Sequence, residues 1–503
     1  MKTNFTLAPI FSDHMMFQAG KPIRIFGSCL GQREISIHFH EKVYVFSTSG
    51  NTFCFELPPL DFTEKPFSFR VSCGKDMVTV HDCLVGDLFI ASGQSNMQFT
   101  LREGIEVDPI DNPNIRFYEV PKVPYDGADQ EFSWLYPSNP HWSVCTKESA
   151  PWFSAIGYFV AQKLQQDLNI PIGVISCNLG DTSVFSWTDR FSLSQNPKLK
   201  SVLDSYDKEM AKYQTVEEYY ALFHKQIPRL MEFWGEIDKG RKAGMCADDA
   251  NNEALKKVPD PYIPMGPKHY NRPAGMFDSL LMTIVPFASK GVLFYQGESN
   301  HQDCTLYEEG FKAMIQGWRR VFKEPSLPFV FVQVAGYSYP GTAKDSIQIV
   351  REAQQNSIDI SDNRYMVTAI DAGEAENIHP KDKTVVSKRL ANVVLEKIYH
   401  QGQNSLSPAF FSYQVNGSTI AIYTRYNNRD LLSRSGQDLG FKITYDGETW
   451  ENFSHVRLEH NTIILENTEK VREIRYAFDP FPLCDIYSEN DLPLLPFRIK
   501  IER

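Results

Sequence analysis

A serine hydroxyl is a useful nucleophile only when a base takes its proton and donors wait for the oxyanion its attack creates. Three short segments of this chain carry residue types suited to those tasks. The first is Ala91-Ser92-Gly93-Gln94-Ser95-Asn96-Met97, directly after the apolar run Leu88-Phe89-Ile90. A serine in a glycine-containing turn after a strand is where hydrolases present a nucleophile, which makes Ser95 the candidate. The second is Tyr295-Gln296-Gly297-Glu298-Ser299-Asn300, after Gly291-Val292-Leu293-Phe294, and the third is Asn377-Ile378-His379-Pro380. Among the twelve histidines, His379 is the best placed base. It falls between a predicted strand at 365–370 and a predicted helix, where a side chain reaches over a sheet edge. Oxyanion donors are expected from the Ser95 N–H and from Gly180, in Cys177-Asn178-Leu179-Gly180-Asp181-Thr182, where glycine lets the backbone approach closely. A side-chain amide completes the set, Gln296 by preference and Asn300 as the alternative. Together these residues make a kit for acyl transfer.

The elements that must position them follow from the pattern of apolar residues. From about 87 to 400, strand-like runs (Leu88–Ala91, Ile172–Cys177, Gly291–Tyr295, Phe329–Val334, Tyr365–Ile370) alternate with helix-like ones (Ala155–Leu168, Tyr307–Phe322, Thr384–Tyr399). In the last helix Val386, Leu390, Val393, Val394 and Ile398 share one face. Such alternation predicts an α/β domain, a parallel sheet covered by helices on both sides. Ligands then bind beyond the carboxyl ends of the strands, where the Ser95, Gly180 and Gln296 turns lie. Residues 1–86 and 401–503 read as β-rich regions of short strands broken by turn residues. Residues 191–272 interrupt the alternation: Lys200–Glu236 is charged with helical period, and Lys239–Pro273 is rich in Asp, Asn, Pro and Lys. The insertion is read as a lid or rim, or as a solvated helical elaboration. His38 and His40 fall on one face of a predicted strand, but no third ligand of suitable spacing accompanies them.

Composition narrows the function class. The chain has 503 residues, 42% hydrophobic and 22% charged, with a formal charge of −11. That is an ordinary globular balance, sized for roughly two to four domains or one domain with large additions. The acidic balance argues against nucleic acid as the main partner. No window of about 18 apolar residues suggests a membrane span. No apolar leader is visible at the start, so a cytoplasmic location is expected, with a periplasmic or secreted one if a leader has been trimmed. The nine cysteines (29, 54, 73, 83, 145, 177, 246, 304 and 484) are scattered, with no CxxC pair, and read as free thiols in a reducing compartment.

Taken in order, the motifs resemble those of the SGNH (GDSL-like) hydrolases, specifically the sialate O-acetylesterase family, and the likeness covers nearly the whole chain. Ile10-Phe11-Ser12-Asp13-His14-Met15-Met16-Phe17-Gln18 is similar to the family's opening segment. Ser92–Met97 looks like its nucleophile block, Gly180-Asp181-Thr182 ending at Trp187 like its glycine block, and Tyr295–Asn300 like its third block. Trp318-Arg319, Arg351-Glu352-Ala353-Gln354 and Ile378-His379-Pro380 follow in the expected order, and Ile474–Ala477 and Leu492–Arg498 resemble the C-terminal signature. The resemblance implies a three-layer α/β/α SGNH domain over residues 87–400. It also implies a serine esterase that removes O-acetyl groups from a sugar, preferably O-acetylated sialic acid, without metal or organic cofactor. An acetylxylan or other hemicellulose acetylesterase is the alternative within the class, and a carbohydrate-binding protein with a dead esterase core the alternative outside it. The partner implied is a small O-acetylated sugar or glycan.

Two positions depart from the family pattern. Asp181 stands where a second glycine is usual, and Asn377 where an aspartate usually precedes Ile-His. An acid three residues before the histidine is common in SGNH enzymes, and that position is Glu376, the expected partner of His379. Asp371 or a backbone carbonyl could fill the same role. Gln94 and Asn96 are expected to brace the nucleophile turn or touch substrate, and Glu298 to act as a structural hub. Arg351 is expected either to meet a carboxylate or sugar hydroxyls, or to hold the fold through a salt bridge.

Overall fold

Eighteen consecutive residues, Asp76–Gly93, form one strand in the computed structural model of the chain. Its first part pairs antiparallel with Thr63–Cys73. Its last part lies parallel to Ile172–Asn178 on one side and to Gly291–Tyr295 on the other. Every residue from Cys83 to Gly93 is buried, as a strand covered on both faces of a parallel sheet requires. The expected boundary between residues 86 and 87 falls inside this strand.

The structure describes all residues except 1–4, 32, 132–139, 246, 427, 437–438 and 503, and it also omits the side chains of 129, 241, 247 and 248. Cys246, one of the nine cysteines, lies outside the described residues. The chain is mixed α/β and divides into two units: Met1–Met231, Pro261–Gln296 and Glu309–Phe329 make the first, and Glu232–Asp260, Gly297–Glu308 and Val330–Arg503 the second.

In the first unit, Ile172–Asn178 also pairs parallel with Asn112–Glu119, whose far edge takes Trp142–Cys145 antiparallel. The helix Ala155–Leu168 forms where predicted. Ser154 caps it by accepting the Gly157 N–H, and Asn169 ends it in the left-handed conformation. The N-terminal strands Ile23–Cys29, Glu34–Phe39 and Lys42–Ser47 form antiparallel pairings. His40 does not share the strand face of His38, because it occupies the turn after Phe39 with φ 52°. The charged stretch read as one helical run at 200–236 is two helices, Lys200–Met210 and Val216–Lys242. Thr215 and Glu218 restart the chain there. The Thr215 hydroxyl accepts the Glu218 N–H at 3.2 Å, and the Glu218 carboxylate accepts the Gln214 N–H at 2.7 Å, a variant of the capping box.

The second unit holds the strands Phe329–Gln333, all but its first residue, and Arg364–Thr368, together with the helices Ser346–Asn356 and Thr384–Lys397. Thr368 Oγ1 donates to Gln333 Oε1 at 2.8 Å between the two strands. Beyond them the chain turns to antiparallel sheets. Ala409–Asn416, Thr419–Arg425, Thr462–Leu465 and Val456–Glu459 make one, and Glu451–Asn452, Phe441–Thr444, Glu473–Tyr476 and Phe497–Lys500 another. Ile420, Ile422, Phe441, Ile443, Ile463, Ile474 and Tyr476 fill the core of this region. Alternation along Phe497–Lys500, with Phe497 and Ile499 buried and Arg498 and Lys500 exposed, is the mark of a sheet with one wet face.

Candidate active site

Gly93 makes the turn into Ser95 possible. Its φ is 129°, and a Cβ there would lie 2.0 Å from the Tyr295 carbonyl oxygen, so only glycine fits. The chain then turns sharply. The Gln94 N–H donates to that same carbonyl at 2.9 Å, and Ser95–Gln98 forms one turn of helix. The N–H groups of Met97 and Gln98 both donate to the Gln94 carbonyl. Ser95 is the first residue of this turn, so its own N–H belongs to the donors that a helix start leaves outside the helical ladder. Ser95 is partly exposed, while Gln94 and Asn96 beside it are 3% and 1% exposed. That burial suits bracing the turn better than meeting substrate.

Gly180 lies against the serine. A Cβ built on it would be 3.4 Å from the Ser95 Cβ. The loop that carries it is held from several directions. The Leu179 N–H donates to the Gly93 carbonyl at 3.2 Å, and Gln296 Nε2 donates to the Thr182 carbonyl at 3.0 Å. Trp187 Nε1 donates to Thr182 Oγ1 at 2.9 Å. Ser95, Gly180 and Gln296 therefore gather around one short loop of the first unit.

Asp181, the departure from the glycine pattern, adopts φ 57°. Aspartate is among the few residues that tolerate this region, and its neighbours fix it there. Tyr270 Oη donates to Asp181 Oδ2 at 2.6 Å, Asn271 Nδ2 donates to the Asp181 carbonyl at 2.7 Å, and Asn271 Oδ1 accepts the Ser183 N–H at 2.7 Å. The Asn271 N–H in turn donates to His269 Nδ1 at 3.0 Å. An accepting Nδ1 is unprotonated. Burial, and next the nearby Arg272 charge, push the His269 pKa down to about 4, so the ring stays neutral at ordinary pH. The end of the 191–272 insertion thus serves as a clamp on the glycine loop.

The same loop holds a residue that the sequence reading missed. The Gly180 N–H, expected to face an oxyanion, donates to Gln98 Oε1 at 2.7 Å. Gln98 stands three residues after Ser95 on one helical turn, a spacing that brings side chains to the same face. That spacing was the available signal. Nothing in the sequence pointed to Tyr270 or Asn271, because their contacts with the glycine loop span 88 to 90 residues.

His379, Glu376, Asn300 and Arg351 belong to the second unit. The loop of His379 carries bonds among its own residues, and the Ser338 N–H and hydroxyl donate to its Ala375 carbonyl at 3.1 and 2.6 Å. Asn377 Nδ2 donates to Glu374 Oε2 at 3.0 Å and to the His379 carbonyl at 2.9 Å, while Asn377 Oδ1 accepts the His379 N–H at 3.1 Å. Asn377, where the family pattern has aspartate, is therefore a turn former here. Of the acids in this loop, Glu374 also accepts the Lys381 N–H at 2.8 Å. Asp371 is paired bidentately with Arg389 at 2.6 and 2.8 Å and accepts the Tyr487 hydroxyl at 3.1 Å. Burial alone would raise the Asp371 pKa, but the hydrogen bond and charge of Arg389 outweigh it and hold the carboxylate below its usual range. Glu376 is exposed and has no hydrogen bond or ion pair among the described residues.

Arg351 is 1% exposed. Its guanidinium donates to the carbonyls of Val334, Ala335, Asp479 and Pro480 at 2.7–3.1 Å. It ties chain segments together through these backbone carbonyls. Asn300 is fully buried in the short helix Glu298–Asn300, and Glu298 is 4% exposed.

Residues 268–396, which include Gln296, Asn300 and His379, match the family model described as carbohydrate esterase, sialic acid-specific acetylesterase. The chain is 25% identical over 432 residues to the sialate O-acetylesterase of Mus musculus, covering 77% of this chain and 72% of that protein. It is 24% identical over 339 residues to the sialate O-acetylesterase of Homo sapiens, covering 62% of this chain and 53% of that one. Among solved structures, a carbohydrate acetylesterase from Xanthomonas citri superposes with a TM-score of 0.76 at 22% identity, over 99% of this chain and 100% of that chain. That likeness shows a shared fold.

Proposed function

Residues 268–396 match the carbohydrate-esterase family of sialic acid-specific acetylesterases, and from that premise we propose that the chain is a serine esterase removing O-acetyl groups from sialic acid. The observation that carries the reading is the serine on its strand-to-helix turn, with its Cβ 3.4 Å from the Cβ position of Gly180. This is a nucleophile set beside a backbone that can stabilise the charge its attack creates. The parallel pairing of the nucleophile strand with both neighbours supports the finer reading of an SGNH three-layer domain.

In the proposed cycle Ser95 Oγ attacks the acetyl carbonyl carbon while His379 accepts its proton. The tetrahedral oxyanion takes hydrogen bonds from the Ser95 N–H, the Gly180 N–H and the Gln296 amide. Collapse breaks the ester C–O bond, and His379 returns the proton to the departing sugar oxygen. Water activated by His379 then cleaves the acetyl-enzyme, and acetate leaves. Glu376 steadies the imidazolium. The support for that role is elimination, since Asp371 and Glu374 are committed to other partners.

The test is acetate release from O-acetylated sialic acids beside acetylated xylo-oligosaccharides, with Ser95→Ala as control. Release from the sialic acid esters, lost in the variant, is expected. Release from the xylo-oligosaccharides alone would move the substrate to hemicellulose.

A further inference from the structure

The Gly180 N–H has one hydrogen, and in this structure Gln98 Oε1 holds it at 2.7 Å. An oxyanion stabilised by this donor would sit at the same range, about 2.7–3.1 Å from the nitrogen. The notional Cβ of Gly180 lies 3.4 Å from Gln98 Oε1 and 3.4 Å from the Ser95 Cβ, so the amide oxygen and the nucleophile flank the same spot. We propose that Gln98 occupies the Gly180 oxyanion position at rest and must swing aside for each acylation. The inference rests on the esterase reading above.

Three features make the exchange workable. Gln98 is only half-buried and ends a helix of four residues. Its hold on Gly180 is a neutral amide-to-carbonyl bond, worth little net. The tetrahedral oxyanion is charged and makes a hydrogen bond roughly twice as strong. The neutral ester carbonyl of bound substrate has no such advantage. Gln98 is therefore displaced as charge develops rather than on binding, and its release adds to the barrier of acylation while keeping the donor satisfied between turnovers.

Removing the competing oxygen should speed the step that needs the donor. Gln98→Ala, and Gln98→Met, which keeps the length but offers only a weakly accepting sulfur, should each raise kcat/KM for an acetyl ester by about three- to tenfold. The rate at which a fluorophosphonate labels Ser95 should rise by a similar factor, because phosphonylation uses the same donors without turnover. Gln98→Glu should lower both by about 10²-fold, because a carboxylate holds the N–H more tightly and repels the oxyanion. If both Gln98→Ala and Gln98→Met, folded as judged by circular dichroism, match or fall below the wild type, Gln98 is a brace for the loop and the proposal is wrong. If the wild type neither releases acetate nor takes the label, the esterase reading fails and this inference falls with it. A wild type that turns over isolates the result to Gln98.

Discussion

The glycine loop at 179–183 and the histidine loop at 374–381 differ in how far their hydrogen bonds reach along the chain. The glycine loop is wired to distant chain. Gln98, Tyr270, Asn271 and Gln296 reach it across 82 to 114 residues of sequence. The histidine loop has many local ties, with Glu374, Asn377, His379 and Lys381 bonding within seven residues of one another, besides the Ser338 N–H and hydroxyl that donate to the Ala375 carbonyl. The lesson is one of preorganisation. Donors aimed at a developing charge work best when their backbone is held in advance, and the ties from Tyr270, Asn271 and Gln296 provide that rigidity, Gln98 being the one tie proposed to yield. A base must carry a proton to and fro, and a locally closed turn holds its backbone while leaving Glu376 uncommitted. Single substitutions should therefore be severe where one side chain performs a chemical step, and mild where one of many ties is cut.

The largest effects test the chemical steps. Ser95→Ala is expected to lower kcat by about 10⁴-fold or more without unfolding the protein, because a small hydroxyl in a half-open turn contributes little packing. Activity within about tenfold of wild type would remove Ser95 as nucleophile. His379→Ala should be nearly as damaging, and the double variant little worse than either, since residues that act as one unit are not additive. Losses that simply multiply would separate the pair into independent contributions.

Glu376→Gln tests whether the uncommitted acid has a task. A loss in kcat of about 10²-fold is expected, with an unchanged melting temperature. A near-neutral variant would pass the orienting role to a backbone carbonyl and leave the enzyme with a serine–histidine pair.

Cutting one tie of the glycine loop should cost less. Tyr270→Phe removes the hydroxyl that donates to Asp181, and a fall in kcat of about three- to tenfold is expected, with little change in KM. A loss as large as that of Glu376→Gln would mean that this one bond, rather than the set, positions Gly180.

The smallest effect concerns acid. His269 is neutral in the fold, with its pKa lowered to about 4, whereas in the unfolded chain it titrates near 6.5. Between those values the unfolded state binds the additional proton, so stability rises with pH across the window and is lost as pH falls from about 6.5 towards 4. Melting temperatures of wild type and His269→Gln over that range should converge at low pH, the variant having the shallower slope. Parallel slopes would show that His269 does not carry the acid sensitivity of the clamp.

Much of this arrangement was legible in the chain. The strands carrying Ser95, Gly180 and Gln296 were marked by continuous apolar runs ending in glycine-containing turns. Gly291–Tyr295 forms with the bounds its composition suggested, and the helix Ala155–Leu168 does the same. Those features are local: burial on both faces of a parallel strand demands apolar residues in series, and a tight turn demands glycine, so each leaves a mark at its own position. The Thr215–Glu218 restart was equally written in residue types, though the charged run around it read as continuous helix.

What only the tertiary structure decided is which polar groups meet. Arg351 looked equally suited to substrate and to structure, and only the fold shows it buried among four backbone carbonyls. Asp371 and Glu376 are both carboxylates near His379 in sequence, and Arg389 and Tyr487 engage one while the other stays uncommitted. Asp181 looked like an irregularity until Tyr270 and Asn271 were seen to hold it in a glycine's conformation. Hydrogen bonds depend on distance and direction to groups that the fold brings from far along the chain. The sequence therefore determined the kinds of chemistry this protein can carry and the strands and turns that present them, and folding determined which side chains remain available for it.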